Sequence, residues 1–124
     1  MKLIKNVAIV LLLSILFVSL VACRNNALND AVDELNNDQS LHAQLDGLYT
    51  VRAEARGSST IVIIFLAQQE ELADIEISQA VSESAAPEFE YTLGEMKNAN
   101  IRNPKIVLEF LDTGGGLIYR HEFS

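Results

Sequence analysis

The strongest constraint on the fold of this chain is an alternating segment that is followed by a turn and an apolar run. From Tyr49 to Arg56, every second side chain is apolar and the residues between them are polar or charged. This period of two is typical of a strand that is buried on one face. Gly57-Ser58 then has the composition of a two-residue hairpin turn. Residues 61–66 are apolar on both faces and rich in β-branched residues, which predicts a central strand paired with the first.

A second strand pair is predicted at the C-terminal end of the chain. Residues 106–111 and 117–123 have strand composition, and they flank the Asp-Thr-Gly-Gly-Gly turn of residues 112–116. Because a short glycine-rich loop joins the two segments, we expect a second hairpin.

Two regions have helical spacing. Apolar residues recur every three or four positions over residues 72–96, with acidic residues just before them, which predicts a helix that starts near Gln68. Pro87 predicts a break or kink after Ala86. Residues 27–47 show the same spacing and predict one broken helix or two short ones.

The predicted element order is therefore α-β-β-α-β-β. We expect the α+β class, with a four-stranded, mainly antiparallel sheet of two hairpins packed on helices. A body of about 100 residues can sustain one hydrophobic core without disulfides or metals. Residues 28–124 thus predict a single domain, preceded by a signal segment at residues 1–22 and a short tether at residues 23–27.

Hairpin parity predicts which residues face each other. A two-residue turn places Arg56 opposite Ser59 and Ala53 opposite Val62. Opposite charges across a ladder favour one register in the second hairpin. That register pairs Glu109 with Arg120, Val107 with Glu122, and Leu111 with Ile118.

These registers predict two different sheet faces. The more apolar face, which we expect the helices to cover, carries Tyr49, Val51, Ala53, Val62, Ile64, Leu66, Ile106, Leu108, Phe110, Leu117, Tyr119 and Phe123. The second face mixes the charged residues Arg52, Glu54, Arg56, Glu109, Arg120 and Glu122 with the apolar residues Ile61, Ile63, Phe65, Val107, Leu111 and Ile118. Such an apolar strip is large for a bare monomer surface. We expect a helix or loop of the same chain, a second copy, a protein partner or a small apolar ligand to cover it, and it is the candidate interaction face.

The N-terminal segment has the form of a secretion signal. Lys2 and Lys5 precede an apolar run from Val7 to Val21 that only two serines interrupt. A basic start followed by ~7–15 apolar residues is typical of such signals. The run ends in Leu-Val-Ala-Cys at Cys23, the only cysteine of the chain, which resembles the lipobox of bacterial lipoproteins.

This resemblance implies that Cys23 receives a diacylglyceryl group on its sulfur and that cleavage follows between Ala22 and Cys23. Two or more acyl chains hold a protein stably at a membrane, whereas one chain binds only marginally. We therefore expect the protein on the extracytoplasmic face of the cell membrane, with the membrane as its partner through the lipid. The alternative is an uncleaved transmembrane helix, because residues 3–22 are long enough to span a ~30 Å hydrocarbon core.

Composition and motifs argue against several other functions. The 9 Lys and Arg residues against 17 Asp and Glu give a net charge of −8, which disfavours nucleic-acid binding. One cysteine excludes an intrachain disulfide and a cysteine-built zinc site. His42 and His121 are not part of a His-x-x-x-His pair, and no serine lies in Gly-x-Ser-x-Gly. The helical serines Ser78, Ser82 and Ser84 are expected to be solvated. We expect no catalytic residues, no metal and no cofactor, and so no enzyme.

The mature chain also resembles small lipoproteins of Gram-positive bacteria that carry an uncharacterised α+β domain. The matching features are the lipobox, the helical Leu41-His42-Ala43-Gln44-Leu45, the two strands, the long helical segment and the ending IVLEFLDTGGGLIYRHEF. This resemblance implies no activity and no site residues. Two functions stay open: a non-catalytic module that binds a protein partner or forms a homodimer, and a carrier or sensor of a small hydrophobic or envelope-derived ligand in a pocket lined by Phe89, Leu93 and Phe110.

Overall fold

A computed structural model describes residues 27–124 of the chain. The predictions for residues 1–26, including the signal segment and the lipidation of Cys23, lie outside the described residues. The secondary structure follows the predicted order, with the first helical region divided in two. The elements are α1 (Ala27–Asn37), α2 (Gln39–Leu45), β1 (Tyr49–Arg56), β2 (Thr60–Ala67), α3 (Ile75–Asn98), β3 (Lys105–Leu111) and β4 (Leu117–Phe123), with a 3-10 turn at Glu70–Leu72 before α3.

The four strands form one mixed sheet in the order β1-β2-β3-β4. The pairs β1–β2 and β3–β4 are antiparallel hairpins, whereas the central pair β2–β3 is parallel. A parallel pair needs a crossover, and α3 supplies it between the two hairpins. The predicted α+β class with a mainly antiparallel, four-stranded sheet is confirmed.

The helices cover one side of the sheet. Helix α1 packs on β1, and α3 packs on β3 and β4. The helical structure is interrupted at Asp38, between α1 and α2. The Asp38 carbonyl accepts a hydrogen bond from the backbone N–H of His42 at 3.1 Å. The prediction of two short helices in residues 27–47 is thus one of the two outcomes that the spacing allowed.

Helix α3 differs from the prediction at its start and in its middle. It begins at Ile75, where the Asp74 side chain accepts a hydrogen bond from the Glu76 backbone N–H at 2.7 Å, a typical N-cap. It continues through Pro87 and is 24 residues long in total. Of the predicted break or kink after Ala86, the break is therefore wrong, and the kink stays a prediction. Pro87 is exposed. Proline lacks the backbone N–H that would bond the carbonyl one turn earlier, so the helix continues here with one hydrogen bond fewer.

The first hairpin has a three-residue loop, and this shifts its register by one residue from the prediction. Arg56 pairs with Thr60, and Gly57 opens the loop with a φ of 69°, a conformation that favours glycine. A shift of one residue moves every side chain of a strand to the opposite face. The helix-side positions of β2 are therefore Ile61, Ile63 and Phe65, and the positions on the other face are Val62, Ile64 and Leu66.

The second hairpin keeps most of the predicted register. Val107 pairs with Glu122 and Glu109 pairs with Arg120, as predicted. The pairing of Leu111 with Ile118 is wrong, because a β-bulge shifts the ladder at this end. The bulge pairs Leu111 with Leu117 and leaves Ile118 without a partner in β3.

The core lies between the helices and the sheet and is held by aromatic contacts. The rings of Phe65 and Phe110 are stacked with centroids 4.7 Å apart, and those of Phe89 and Phe123 are 5.1 Å apart. Tyr49 meets Phe65 edge-on at 6.0 Å. Such ring pairs add about 1 kcal/mol each beyond the area that they bury. They link β1 to β2 and β2 to β3, and they join β4 to α3.

Candidate interaction surface

The sheet face opposite the helices is formed by two rows of side chains that cross all four strands. One row runs from Arg52 over Ile64 and Glu109 to Arg120. The neighbouring row carries Glu54, Val62, Val107 and Glu122. We call this surface the outer face. Arg56, Thr60 and Lys105 complete it at one end, and Thr50, Leu66 and Leu111 complete it at the other. Apolar residues lie on the central strands and charges on the outer strands, with Glu109 the one charge on a central position of a row.

The charged side chains of the outer face join into one network across the strands. Arg56 donates to Glu54 at 2.7 Å and to Glu109 at 3.1 Å, and it thereby spans β2. Arg120 lies 3.8 Å from Glu109 and 3.5 Å from Glu122. The two carboxylates that Arg56 contacts raise the pKa of its guanidinium. Lys105 extends the network, since its ammonium lies 3.8 Å from Glu122.

A small apolar cluster lies beneath this network. Val62, Ile64 and Val107 are buried and form a cluster separate from the main core, with Leu111 partly buried beside them. Long arginine and glutamate side chains cover apolar surface with their methylene groups while their charged ends reach water. The outer face therefore consists of a network of ion pairs that covers a small apolar cluster. The sequence led us to expect a broad apolar strip instead.

The predicted interaction residues divide between the two sides of the sheet. Arg52, Val107, Leu111 and Arg120 lie on the outer face, as predicted. The placement of Ile61, Ile63 and Phe65 on this face is wrong, because the three-residue loop turns them into the main core. Ile118 is half-buried in the bulge.

Val62, Ile64 and Lys105 take their place and were missed. Residues 61–66 are apolar on both faces, so their pattern contains no signal that distinguishes one face from the other.

Charge is distributed unequally between the two sides of the molecule. Residues 27–124 contain six Lys and Arg residues, of which the outer face holds four: Arg52, Arg56, Lys105 and Arg120. Of the 17 acidic residues, it holds only Glu54, Glu109 and Glu122. The remaining fourteen acids lie on the helices and loops with two cations. The outer face is thus nearly neutral and slightly basic, on an otherwise strongly acidic body.

The two edge strands of the sheet, β1 and β4, differ in the hydrogen bonding of their outward-facing backbone groups. At β1, the Asn36 side chain donates to the Ala53 carbonyl at 2.9 Å and accepts from the Ala53 N–H at 2.8 Å. It occupies the backbone groups of Ala53, at the middle of the strand, that a further strand would need. Strand β4 is the other edge, and among residues 27–124 no hydrogen bond reaches its outer backbone groups beyond the ladder to β3.

The two histidines belong to different parts of the fold. His42 Nε2 lies 3.1 Å from the Asn36 carbonyl oxygen, beside β1. His121 lies on β4 at the opposite edge, where its ring stacks on Tyr119 and meets Phe123 edge-on at 4.5 Å. Within residues 27–124, no group of three or more His, Cys, Asp or Glu residues could hold a metal ion.

Two serines of α3 are placed contrary to the prediction. Ser78 and Ser82 are buried, at 0% and 1% exposure, instead of solvated. Neither hydroxyl has a hydrogen-bond partner among residues 27–124. They lie one turn apart, next to the core residues Ile77 and Val81. Each of the two serines directly follows a core residue in the sequence. Residue type alone does not distinguish these buried serines from the exposed Ser84. Ser84 is exposed, as predicted.

Comparisons of the chain with protein-family models, with curated proteins and with solved structures give no match. The resemblance to Gram-positive lipoproteins therefore stays a prediction that rests on the sequence motifs. Among the residues that the structure describes, no helix has the length and apolarity needed to span a membrane.

Proposed function

We propose that this protein is a lipoprotein held on the extracytoplasmic face of the cell membrane through a lipid on Cys23. Residues 28–124 then act as a non-catalytic module whose outer face binds a protein surface of net negative charge. The lone cysteine at the end of the apolar run supports the anchor. The proposed task is association near the membrane, without chemistry.

The slight excess of positive charge on the outer face of an otherwise acidic body is the observation that carries the proposed association. Four cations lie on a face that no helix of residues 27–124 covers, whereas the helical side carries almost only acids. Charge complementarity steers association and selects partners more than it sets affinity. Arg52 is exposed and makes no ion pair within residues 27–124, so it is the cation most available to a partner.

The positions of the histidines and the packing of the core favour association over the alternatives. His42 and His121 lie at opposite edges of the sheet, so they do not meet in one site. A ligand carrier would need space around Phe89, Leu93 and Phe110. These side chains are buried, and the two phenylalanines are stacked on Phe123 and Phe65.

Two measurements test the anchor. The mass of the mature N-terminus is expected to correspond to a lipidated Cys23 without residues 1–22, and the protein is expected in the membrane fraction. Cys23→Ser is the matched control, because it removes the acceptor sulfur and leaves residues 28–124 unchanged. An unprocessed N-terminus, or a wild-type protein that fractionates with the cytosol, contradicts the anchor.

Position-specific crosslinking in intact cells tests the outer face. A photoreactive residue at Thr50, which is exposed on this face beside Arg52, is expected to form adducts with a partner. The same probe at Tyr91, which is 71% exposed on α3, is the matched control and is expected to form none. Arg52→Glu is expected to abolish the Thr50 adducts if the partner surface is acidic. Equal adducts from both positions, or adducts that are indifferent to Arg52→Glu, contradict the proposal.

A further inference from the structure

We propose that two copies of this chain pair through β4, antiparallel and related by a two-fold axis at His121, so that their sheets join into one sheet of eight strands. The inference goes beyond the proposed function, because it concerns the backbone edge of β4, although Arg120 and Glu122 of this strand also belong to the outer face. Either can hold without the other. The occupant of the β4 edge is the β4 strand of a second copy.

The β4 edge is more available for such pairing than the β1 edge, which is occupied at its middle. Asn36 fills the hydrogen-bonding positions of Ala53 at the β1 edge. Strand β4 contains no proline and presents its outer backbone groups unpaired within residues 27–124. Unpaired edges are templates for another strand, and proteins usually protect them with proline, bulges or inward charges. The bulge at Ile118 affects only the start of β4, so residues 119–123 remain regular.

The charges on β4 select one register. Residues opposite each other in an antiparallel pair point to the same face, so a two-fold axis must pass through a residue position. An axis at Arg120 places two arginines opposite each other, and an axis at Glu122 does the same with two glutamates. An axis at His121 places Arg120 opposite Glu122 of the second copy, twice. Opposite charges stabilise a cross-strand pair and like charges destabilise it, so this register is favoured over its neighbours.

The same register joins aromatic residues on the helix side of the sheet. Tyr119 comes opposite Phe123 of the second copy, and the two His121 rings face each other across the axis. Within one chain, Tyr119 already stacks on His121, with ring centroids 6.3 Å apart, and His121 meets Phe123. The pairing therefore continues an existing row of rings, and aromatic cross-strand pairs are among the more stabilising ones.

Disulfide crosslinking of the full chain in its membrane tests the register. His121→Cys places two thiols directly opposite each other, at a Cα separation of ~4.5–5.5 Å that a disulfide can bridge. Tyr119→Cys is the matched control on the same strand and face, since its two copies lie more than ~13 Å apart along the strands in this register. Mild oxidation is expected to convert most of the His121→Cys protein into a covalent dimer, but little of the Tyr119→Cys protein or the unsubstituted chain. Equal crosslinking at both positions, or none at His121→Cys, overturns the proposal.

A charge exchange provides a second test that needs no cysteine. Arg120→Glu and Glu122→Arg should each reduce dimer formation at least tenfold, because each places like charges opposite each other. The double exchange Arg120→Glu with Glu122→Arg should restore the dimer, since it regenerates both opposite-charge pairs. Circular dichroism of each variant checks that the fold is retained. Failure of the double exchange to restore the dimer in a folded protein overturns the register. The proposed function is tested separately in the His121→Cys chain kept reduced, since His121 lies on the helix side of the sheet, and Thr50 adducts that persist there leave the proposed function standing.

Discussion

Asn36 and Ala53 form a closed pair in which one side-chain amide substitutes for a neighbouring strand. The Asn36 Nδ2 donates to the Ala53 carbonyl at 2.9 Å, while its Oδ1 accepts from the Ala53 N–H at 2.8 Å. The pair joins the end of α1 to the middle of β1, seventeen residues later. It fixes the helix on the sheet and at the same time occupies the β1 edge.

Asn36→Ala is expected to lower the free energy of unfolding by about 1–2 kcal/mol, because two partly buried backbone groups lose their partner. The variant should also aggregate more readily, because the β1 edge becomes available. Chemical denaturation and light scattering measure the two effects. Asn37→Ala is the control: Asn37 is exposed and adjacent, and its loss should change neither quantity. Equal effects of the two substitutions contradict the role given to Asn36.

Ile63→Asp and Leu111→Asp should differ strongly, although the sequence places both side chains on one face. Ile63 is 2% exposed in the main core, so a carboxylate there should cost about 4 kcal/mol or more, or prevent folding. Leu111 is half-buried at the end of β3, so Leu111→Asp should lower the free energy of unfolding by about 1 kcal/mol or less. Urea denaturation of both variants measures the difference. Similar losses in the two would mean that the register of β2 is the one expected from a two-residue turn.

Glu109→Gln is expected to destabilise the fold by about 1–2 kcal/mol, because Glu109 contacts both Arg56 and Arg120 and its side chain is only 15% exposed. Glu54→Gln is the matched control, since Glu54 contacts Arg56 alone and is more exposed; its effect should stay below about 0.5 kcal/mol. Denaturation at low and high salt measures both. The loss at Glu109 should shrink as salt rises, and an unchanged loss in 1 M salt would argue against an electrostatic cause.

Tyr49 should make stability depend on pH in the alkaline range. Burial raises the pKa of the Tyr49 phenol from 10.0 to about 12. Below pH 10 both the folded and the unfolded states hold the proton, so the contribution is fully present. Between about pH 10 and 12 the unfolded state ionises first and stability falls, by about 3 kcal/mol in total. Denaturation at pH 9 and 11.5, with Tyr49→Phe as control, checks this; a fall of equal size in Tyr49→Phe would assign it to other groups.

Much of the fold follows from local pattern in the sequence. The alternation in residues 49–56 identifies β1 without error, because only a half-buried strand has that period. Opposite charges at Glu109 and Arg120 identify the second ladder, because the pair is stabilising in that register alone. In both cases the residues that reveal the strand or its pairing are neighbours in space and lie close together in the sequence.

The misplaced interaction residues have one physical origin. Whether the loop after Arg56 has two or three residues decides the faces of β2, and Gly57-Ser58-Ser59 is compatible with either length. An alternating strand would have corrected the error, but β2 is apolar throughout because both of its faces are covered, one by helices and one by charged side chains. Loop geometry, and not hydrophobic pattern, therefore determines which residues reach the candidate surface.

The uneven placement of acids and bases makes residues 27–124 a permanent electric dipole whose negative end is the helical side. Near a negatively charged surface, such a body experiences a torque that turns its helices away before any contact forms. The field acts over about 8 Å at physiological salt, which is comparable to the reach of a few residues of tether. An anchored copy would thus be oriented as well as held, and two neighbouring copies in one membrane would share that orientation.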